Sequence, residues 1–397
     1  MNKKVIYFLL LLFFISLIIV LFDKDDRSKN VSDEETRAVY FSYIEFSNYI
    51  TDKSDSEQKK NIITILNNIK SLNFNRIIVH VRPFSDSIYV SNYYPISQYV
   101  LNDKGKYPSY DILKFFIDEA HKRNIKFDAW INPYRISNLK NPSSLSFNSI
   151  YFKYKDTDML GVTESGIYFN PASSNAQQLI INGIIEIVKN YNIDGIHFDD
   201  YFYPDKEIDL KNYDAYLVNG GTLSLNDYRL KNVKDLIKNV YSSIKTINSN
   251  VEFGIAPQGN IDNCYEESFL DVKEILSQDG YIDYIMPQIY FGFLNQYRPF
   301  KKTLNEWSNL IKTSNIKLIP ALAFYKVGNY DKYALNGSNE WMMYDNVISK
   351  EIDYSRKNNK YKGFSLFSYN YMFNDKYKND KTKIELNNII NICKNID

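Results

Sequence analysis

Apolar and polar positions along this chain keep two rhythms in turn. From Arg37 onward, short apolar runs with period-two alternation are each followed by stretches with apolar residues at i, i+3, i+4 and i+7. That succession marks strand-then-helix units of a parallel sheet. The first strand is predicted over 38–46, ending in Tyr43 and Glu45, ahead of a helix carrying Ile62, Ile65, Leu66 and Ile69. Arg76–Val81 gives the second strand, and Asp111 is placed to cap a helix carrying Leu113, Phe116, Ile117 and Ala120. Lys126–Ile131 gives the third. Residues 137–174 carry no clear period and are too long for an ordinary connection, which predicts an irregular loop over the sheet's mouth. A helix over 175–189 then leads into the fourth strand, whose tip reads YNIDGIHFDDYFYPD over 191–205. A loop is expected over 205–222, then a helix with Leu230, Val233, Leu236, Ile237 and Val240. Val251–Ala256, Ile282–Met286, Leu318–Phe324 and Gly363–Phe367 supply strands five to eight. Eight units and no internal repeat predict an α/β fold with a single (β/α)₈ TIM barrel over 37–397.

The first 36 residues keep neither rhythm. Residues 1–4 form a short tip with Lys3 and Lys4, and Val5–Phe22 is an apolar run with Ser16 as its one polar break. Such a run is long enough to cross a bilayer, and the preceding lysines predict an N-inside signal anchor with the barrel outside the cytoplasm. The alternative is a secretory signal cleaved to release the protein, although Asp23, Lys24, Asp25 and Asp26 stand where small residues usually mark the cut. Residues 23–36 are polar throughout and read as a linker.

Charge and composition then exclude several classes. Lys plus Arg number 48 against 47 for Asp plus Glu, and no basic cluster stands out, so nucleic acid is not an expected partner. The 35 Tyr and 25 Phe suit a carbohydrate-facing groove, though a bias shared with abundant Asn, Ile and Lys explains them equally. Only Cys264 and Cys393 occur, far apart, so neither a disulfide framework nor a zinc site is expected, and no metal or cofactor is called for. Neither a phosphate-binding loop nor a Ser-His-Asp pattern is present.

The candidate chemistry collects at the strand tips. Residues two apart on a strand share a face, so Gly195, His197, Asp199 and Tyr201 should point inward and Asp200 outward unless the strand ends before it. Asp199 and Asp200 are the candidate catalytic carboxylates, since adjacent acids push their pKa values apart and leave one protonated. His197, one step deeper, is expected to orient Asp199. Glu45 and Asp86 are candidate partner acids. Arg82 and Arg135 would lower the pKa of such acids or hold anionic substituents, while Asn132, Tyr134, Tyr201, Gln288 and Tyr290 would supply hydrogen bonds to a bound substrate.

Four of these tips also carry a resemblance. RPF at 82–84, AWINPYR at 129–135, DGIHFDDYFYP at 194–204 and MPQIYF at 286–291 stand in order at successive strand ends. Together they resemble glycosyl-hydrolase-like family 10. The resemblance implies a TIM-barrel enzyme of the bacterial envelope acting on polysaccharide, with peptidoglycan glycan strands as the expected substrate. The fourth-strand DGxDxDxE pattern of chitinase-type barrels is a more distant likeness. Here the matching positions are Asp194, Gly195, His197, Asp199 and Tyr201: the middle acid is kept at Asp199, but Tyr201 replaces the terminal Glu, and Tyr290 is a counterpart for that clan's acetamido-binding tyrosine. Two functions therefore stand side by side: a membrane-anchored glycoside hydrolase, or a catalytically silent barrel that binds glycan or scaffolds envelope assembly.

Overall fold

The computed structural model describes residues 35–394. The apolar run at 5–22 and most of the linker lie outside the described residues; among those described, no helix is long and apolar enough to cross a membrane. The strands are β1 Thr36–Phe41, β2 Arg76–Arg82, β3 Lys126–Ile131, β4 Arg135–Ser137, β5 Leu160–Thr163, β6 Gly166–Phe169, β7 Gly195–Phe198, β8 Glu252–Ile255, β9 Tyr284–Ile285, β10 Lys317–Leu318, β11 Ala321–Leu322 and β12 Gly363–Leu366. Nine of them form one sheet in the order β10-β9-β8-β7-β3-β2-β1-β12-β11, and every pair in it is parallel.

The two ends of that order, β10 and β11, are separated along the chain only by Ile319 and Pro320. Proline has no N–H to give a ladder, so one stave is split into two short pieces. Its first piece pairs with β9 and its second with β12, which curls the sheet into a TIM-like α/β fold. β1 is tied on both sides, with Val39 opposite Ile77 of β2 and Leu366 of β12.

Two side-chain sets follow from the alternation. Outward residues such as Val39, Ile77, Val79, Phe127, Ile196, Phe198 and Phe253 join the helices in the main core. Inward residues form a smaller cluster that includes Tyr40, Ile78, Trp130, Tyr284, Met286 and Ile319. Beneath it lies a charged layer in which Arg76 pairs with Asp128 (3.1 Å) and with Glu252, and Lys317 pairs with Glu252 (2.7 Å). Gly195 makes room for this layer, since a Cβ there would stand 2.6 Å from Asp128 Oδ1.

Three expectations are corrected. The first strand stops at Phe41 instead of reaching Phe46. Ser42 is the N-cap of a helix over Tyr43–Tyr49, and its backbone N–H donates to Glu45 three residues on, closing a capping box. The supposed loop over 137–174 contains a helix, Ile150–Tyr154, and an antiparallel sheet β4-β6-β5. Within 205–222 a helix forms over Leu210–Val218.

Candidate active site

β7 ends at Phe198, and the two acids that follow it sit at the C-terminal ends of the parallel strands, where barrels of this kind place their chemistry. A cavity of about 200 Å³ opens there, lined among others by Tyr40, His80, Trp130, Arg135, Asp199 and Asp200. Asp199 is buried at its wall. Trp130 Nε1 donates to its Oδ2 at 3.1 Å and Asn132 Nδ2 donates to the same oxygen at 3.0 Å. Both donors project inward from or just beyond β3, the strand next to β7. Trp130 is held in turn by His80 of β2, whose ring stacks on it at 3.7 Å and 7°.

Burial raises the Asp199 pKa to about 7, and the Asp200 charge adds to the rise, while Arg135 and the Trp130 hydrogen bond oppose it. Asp200 is raised as well, first by burial. Asp200 also lines the cavity: the strand ends before it, so the alternation that would have turned it outward no longer applies. The pair therefore offers, near neutral pH, a carboxyl able to donate a proton beside a second acid.

Arg135 crosses the mouth. Its Nε donates to the Pro83 carbonyl at 3.1 Å, and its guanidinium lies between the rings of Phe84 (4.5 Å) and Tyr201 (4.8 Å). Gln288 and Tyr290 line the opposite wall, and Gln288 Nε2 is fixed by the Ala256 carbonyl at 2.9 Å. Of the candidates read from the sequence, the cavity thus gathers Asp199, Asp200, Arg135, Tyr201, Gln288 and Tyr290, with Asn132 holding Asp199 from behind.

The others go elsewhere. Glu45 is buried among Ser42, Ser368 and Asn370, all of which donate to it, so its carboxylate belongs to the capping box and the β12 tip. Arg82 would face inward on a regular strand, but the register slips by one residue between His80 and Arg82, opposite Trp130 and Ile131. The slip turns Arg82 into the helical layer, over the Tyr94 ring at 4.0 Å. Tyr134 points the same way, into the main core. Asp86 accepts from the Phe84 N–H at 3.0 Å and lines a neighbouring groove.

His197 does not reach Asp199. It bridges Tyr40 (3.0 Å) and Tyr284 (3.1 Å) below the cavity, and Tyr284 donates onward to Asp128 at 2.9 Å. Burial, aided by Arg76, lowers its pKa to about 3, so it is a neutral bridge inside the barrel. Tyr40, His80 and Trp130 went unread in the sequence. Counting inward positions along β2 and β3, as was done along the fourth strand, would have found His80 and Trp130.

A curled parallel sheet with two acids, Asp199 buried and Asp200 half-buried, at its C-terminal mouth defines a TIM-like α/β protein. The chain matches the model of the family Glycosyl hydrolase-like 10 over residues 35–342, and it belongs to that family. It is 32% identical over 352 residues to Glycosyl hydrolase YngK of Bacillus subtilis (strain 168), covering 83% of this chain and 68% of that one. It is 31% identical over 344 residues to Glycosyl hydrolase DigH of Escherichia coli (strain K12), covering 79% and 76%. Among solved structures, the glycoside hydrolase domain of PgaB (BpsB) from Bordetella bronchiseptica superposes with a TM-score of 0.54 at 11% identity. That match covers 86% of this chain and 96% of the other. The β-mannanase of the blue mussel Mytilus edulis gives 0.50 at 9% identity, over 92% and 93%. At such identities these two likenesses speak for the fold alone.

Proposed function

We propose that this protein is a membrane-anchored, extracytoplasmic glycoside hydrolase that cleaves the glycan strands of peptidoglycan. The observation that carries the catalytic part is Asp199, a buried carboxyl with one oxygen fixed by Trp130 and Asn132 and with Asp200 as its neighbour. Hydrolysis of a glycosidic bond needs a proton for the leaving oxygen and a second group at the anomeric carbon or its attacking water. Asp199, with its pKa raised to about 7, is the proton donor. Asp200 serves the anomeric side, while Gln288 and Tyr290 bond the sugar from the far wall and Arg135 closes the mouth.

The family supports a saccharide substrate. The envelope location rests on Lys3, Lys4 and the apolar run Val5–Phe22. Peptidoglycan is the reading because it is the polysaccharide that an anchored outward-facing barrel meets first. One observation favours a silent, glycan-binding barrel instead. Tyr201, where chitinase-type barrels carry a catalytic Glu, brings an aromatic ring under Arg135 in place of an acid.

The two readings part in one experiment. Full-length protein in detergent is incubated with purified glycan strands, peptide-bearing and peptide-stripped, and the products are weighed by mass spectrometry. Shorter strands that have gained one water per cut are the expected result. Binding without any cut in either substrate would favour the silent barrel.

A further inference from the structure

The segments that follow β9 and β11 leave the sheet at the same end as the reaction cavity, and they are clasped together. Glu340 accepts from the backbone N–H groups of Phe293 and Leu294, each at 2.9 Å, and the Gln296 N–H donates to the Ala334 carbonyl at 3.3 Å. Trp341 roots the pair in the main core. Lys326 donates to the Tyr290 carbonyl at 2.8 Å, so the clasp adjoins the cavity wall. These loops are well held, yet they turn large apolar side chains outward. Leu294, Tyr297, Tyr333, Met342, Met343 and Tyr344 are all exposed, Tyr333 at 71% and Met343 at 64%. Apolar side chains gathered in the open on a well-held surface mark a contact with something apolar.

Beside the clasp, against the helices Phe300–Leu310 and Val347–Ser355, opens a pocket of about 460 Å³. Leu294 and Tyr344 line it together with Lys301, Lys350 and Lys357. None of these lysines forms an ion pair among the described residues. Lys301 instead lies 5.2 Å over the Tyr354 ring and Lys350 5.7 Å over that of Tyr344. The two acids at the pocket have other partners: Glu340 takes the two backbone N–H groups, and Asp353 stands 3.6 Å from Arg356. The three ammonium groups are left to meet an anion from outside.

A fitting partner must bring negative charge and apolar surface side by side. A soluble phosphate would satisfy the lysines and leave the methionines and tyrosines in water, while an apolar protein face would do the opposite. A phospholipid surface brings both, with phosphates at the depth where lysine and tyrosine settle and acyl chains just beneath. We propose that the clasped loops after β9 and β11 dock on a bilayer of anionic phospholipid. Lys301, Lys350 and Lys357 meet the headgroups, and Leu294, Met343 and Tyr344 enter the interface. This goes beyond the proposed function, from which it takes only the anchored bilayer as the neighbour, and it holds the cavity mouth beside the membrane.

The test uses full-length protein with a nitroxide on Met343→Cys, since Cys264 and Cys393 are buried. It is reconstituted in nanodiscs of phosphatidylcholine, with or without phosphatidylglycerol. Collisions with oxygen, which concentrates in lipid, are compared with those of a water-soluble nickel chelate. In anionic discs oxygen should gain and nickel lose. The docked share should exceed that in neutral discs by about tenfold or more, each lysine beside an anionic leaflet being worth roughly fivefold. Lys301→Gln with Lys350→Gln and Lys357→Gln should erase the difference. A label on Val90→Cys, an equally open position after β2 across the sheet from β9, should stay in water throughout. A Met343 label that stays in water in both discs, or immersion indifferent to lipid charge and to the lysines, overturns the inference. Protection from both reagents at once would mean that protein, such as a second copy, covers the loops, and overturns it too. Retention in the discs is read separately by size exclusion. Retained protein with Met343 in water keeps the anchor and sinks the docking; retention by anionic discs alone does the reverse, and retention by neither sinks both.

Discussion

Trp130 donates its indole N–H to Asp199 Oδ2 across 3.1 Å while its face is covered by His80, so β2 and β3 position that oxygen of the acid, and the Tyr201 N–H on its own segment donates to the other at 3.4 Å. The Trp130 bond favours the ionised carboxylate and therefore pulls against the burial that raises the Asp199 pKa. Trp130→Phe keeps a ring for His80 to stack on but removes the donor. Activity should fall by about one to two orders of magnitude, since a hydrogen bond to a charged group is worth about 1.5–3 kcal/mol. The alkaline limb of the pH–rate profile should also move upward. A profile unchanged in both height and position would mean that Trp130 only fills space.

The Asp199 pKa also sets a stability trend. Its folded value, about 7, lies above the ordinary 3.8, so the folded state favours the neutral carboxyl. The stability this gives is complete below about pH 4 and is lost as pH rises through about 7. Asp128, raised to about 6 by burial against the pull of Arg76, follows the same sign. Asp199→Asn removes only the first contribution. Urea unfolding at intervals from pH 4 to 8 should give a flatter curve for the variant, with its advantage over the parent largest at the alkaline end. A parallel pair of curves would contradict the assignment.

The charged layer under the site is expected to be the costliest place to cut. Arg76 reaches both Asp128 and Glu252, and its charge with that of Lys317 holds the Glu252 carboxyl down to about 2 despite burial. Arg76→Met would leave the buried Asp128 carboxylate without its cation and Glu252 with Lys317 alone, a loss of about 3–5 kcal/mol. Removing the facing acid as well, in Arg76→Met with Asp128→Leu, should recover part of it. Denaturant midpoints check both, and a loss below about 1 kcal/mol for the single variant would show that the layer is not holding the barrel floor.

β1 is the test of closure. It bonds β2 on one side and β12 on the other, so a fragment beginning at Asp52 would leave two unpaired edges facing a gap. Such a fragment should be insoluble, whereas one beginning at Arg37 should melt in a single transition. A soluble, cooperatively folded product from Asp52 would show that the sheet does not need this stave.

Much of the fold was legible because long strand-and-helix periods survive local accidents. β3 runs over the predicted Lys126–Ile131, and the helix before β7, Ser174–Asn190, lies within a residue of expectation at each end. The failures have local causes that a period cannot register. Ser42 and Glu45 form a helix-start signature three residues apart inside what reads as one apolar run. Pro320 divides the seventh strand. A single extra residue at Val81 reverses Arg82, which no alternation rule foresees without knowing the partner strand. At the site, the acids were readable because two carboxylates closing a buried strand are costly. Their holders, Trp130 and His80, looked like ordinary core residues until the strands were set side by side.

The central claim is that Asp199 donates the proton that breaks the glycan chain. It is tested most directly by comparing cleavage of peptide-stripped glycan strands by the parent protein, Asp199→Asn and Asp200→Asn, with products quantified by mass spectrometry. Asn keeps the shape of the side chain, so stability should change by no more than about 1–2 kcal/mol and each protein should stay folded. Asp199→Asn should lose two or more orders of magnitude in rate, about what a general acid supplies, while still binding glycan through Gln288, Tyr290 and Arg135. A comparable loss in Asp200→Asn assigns it the anomeric side. Full activity in both variants, on a substrate the parent cleaves, would place the chemistry away from the end of β7 and contradict this account.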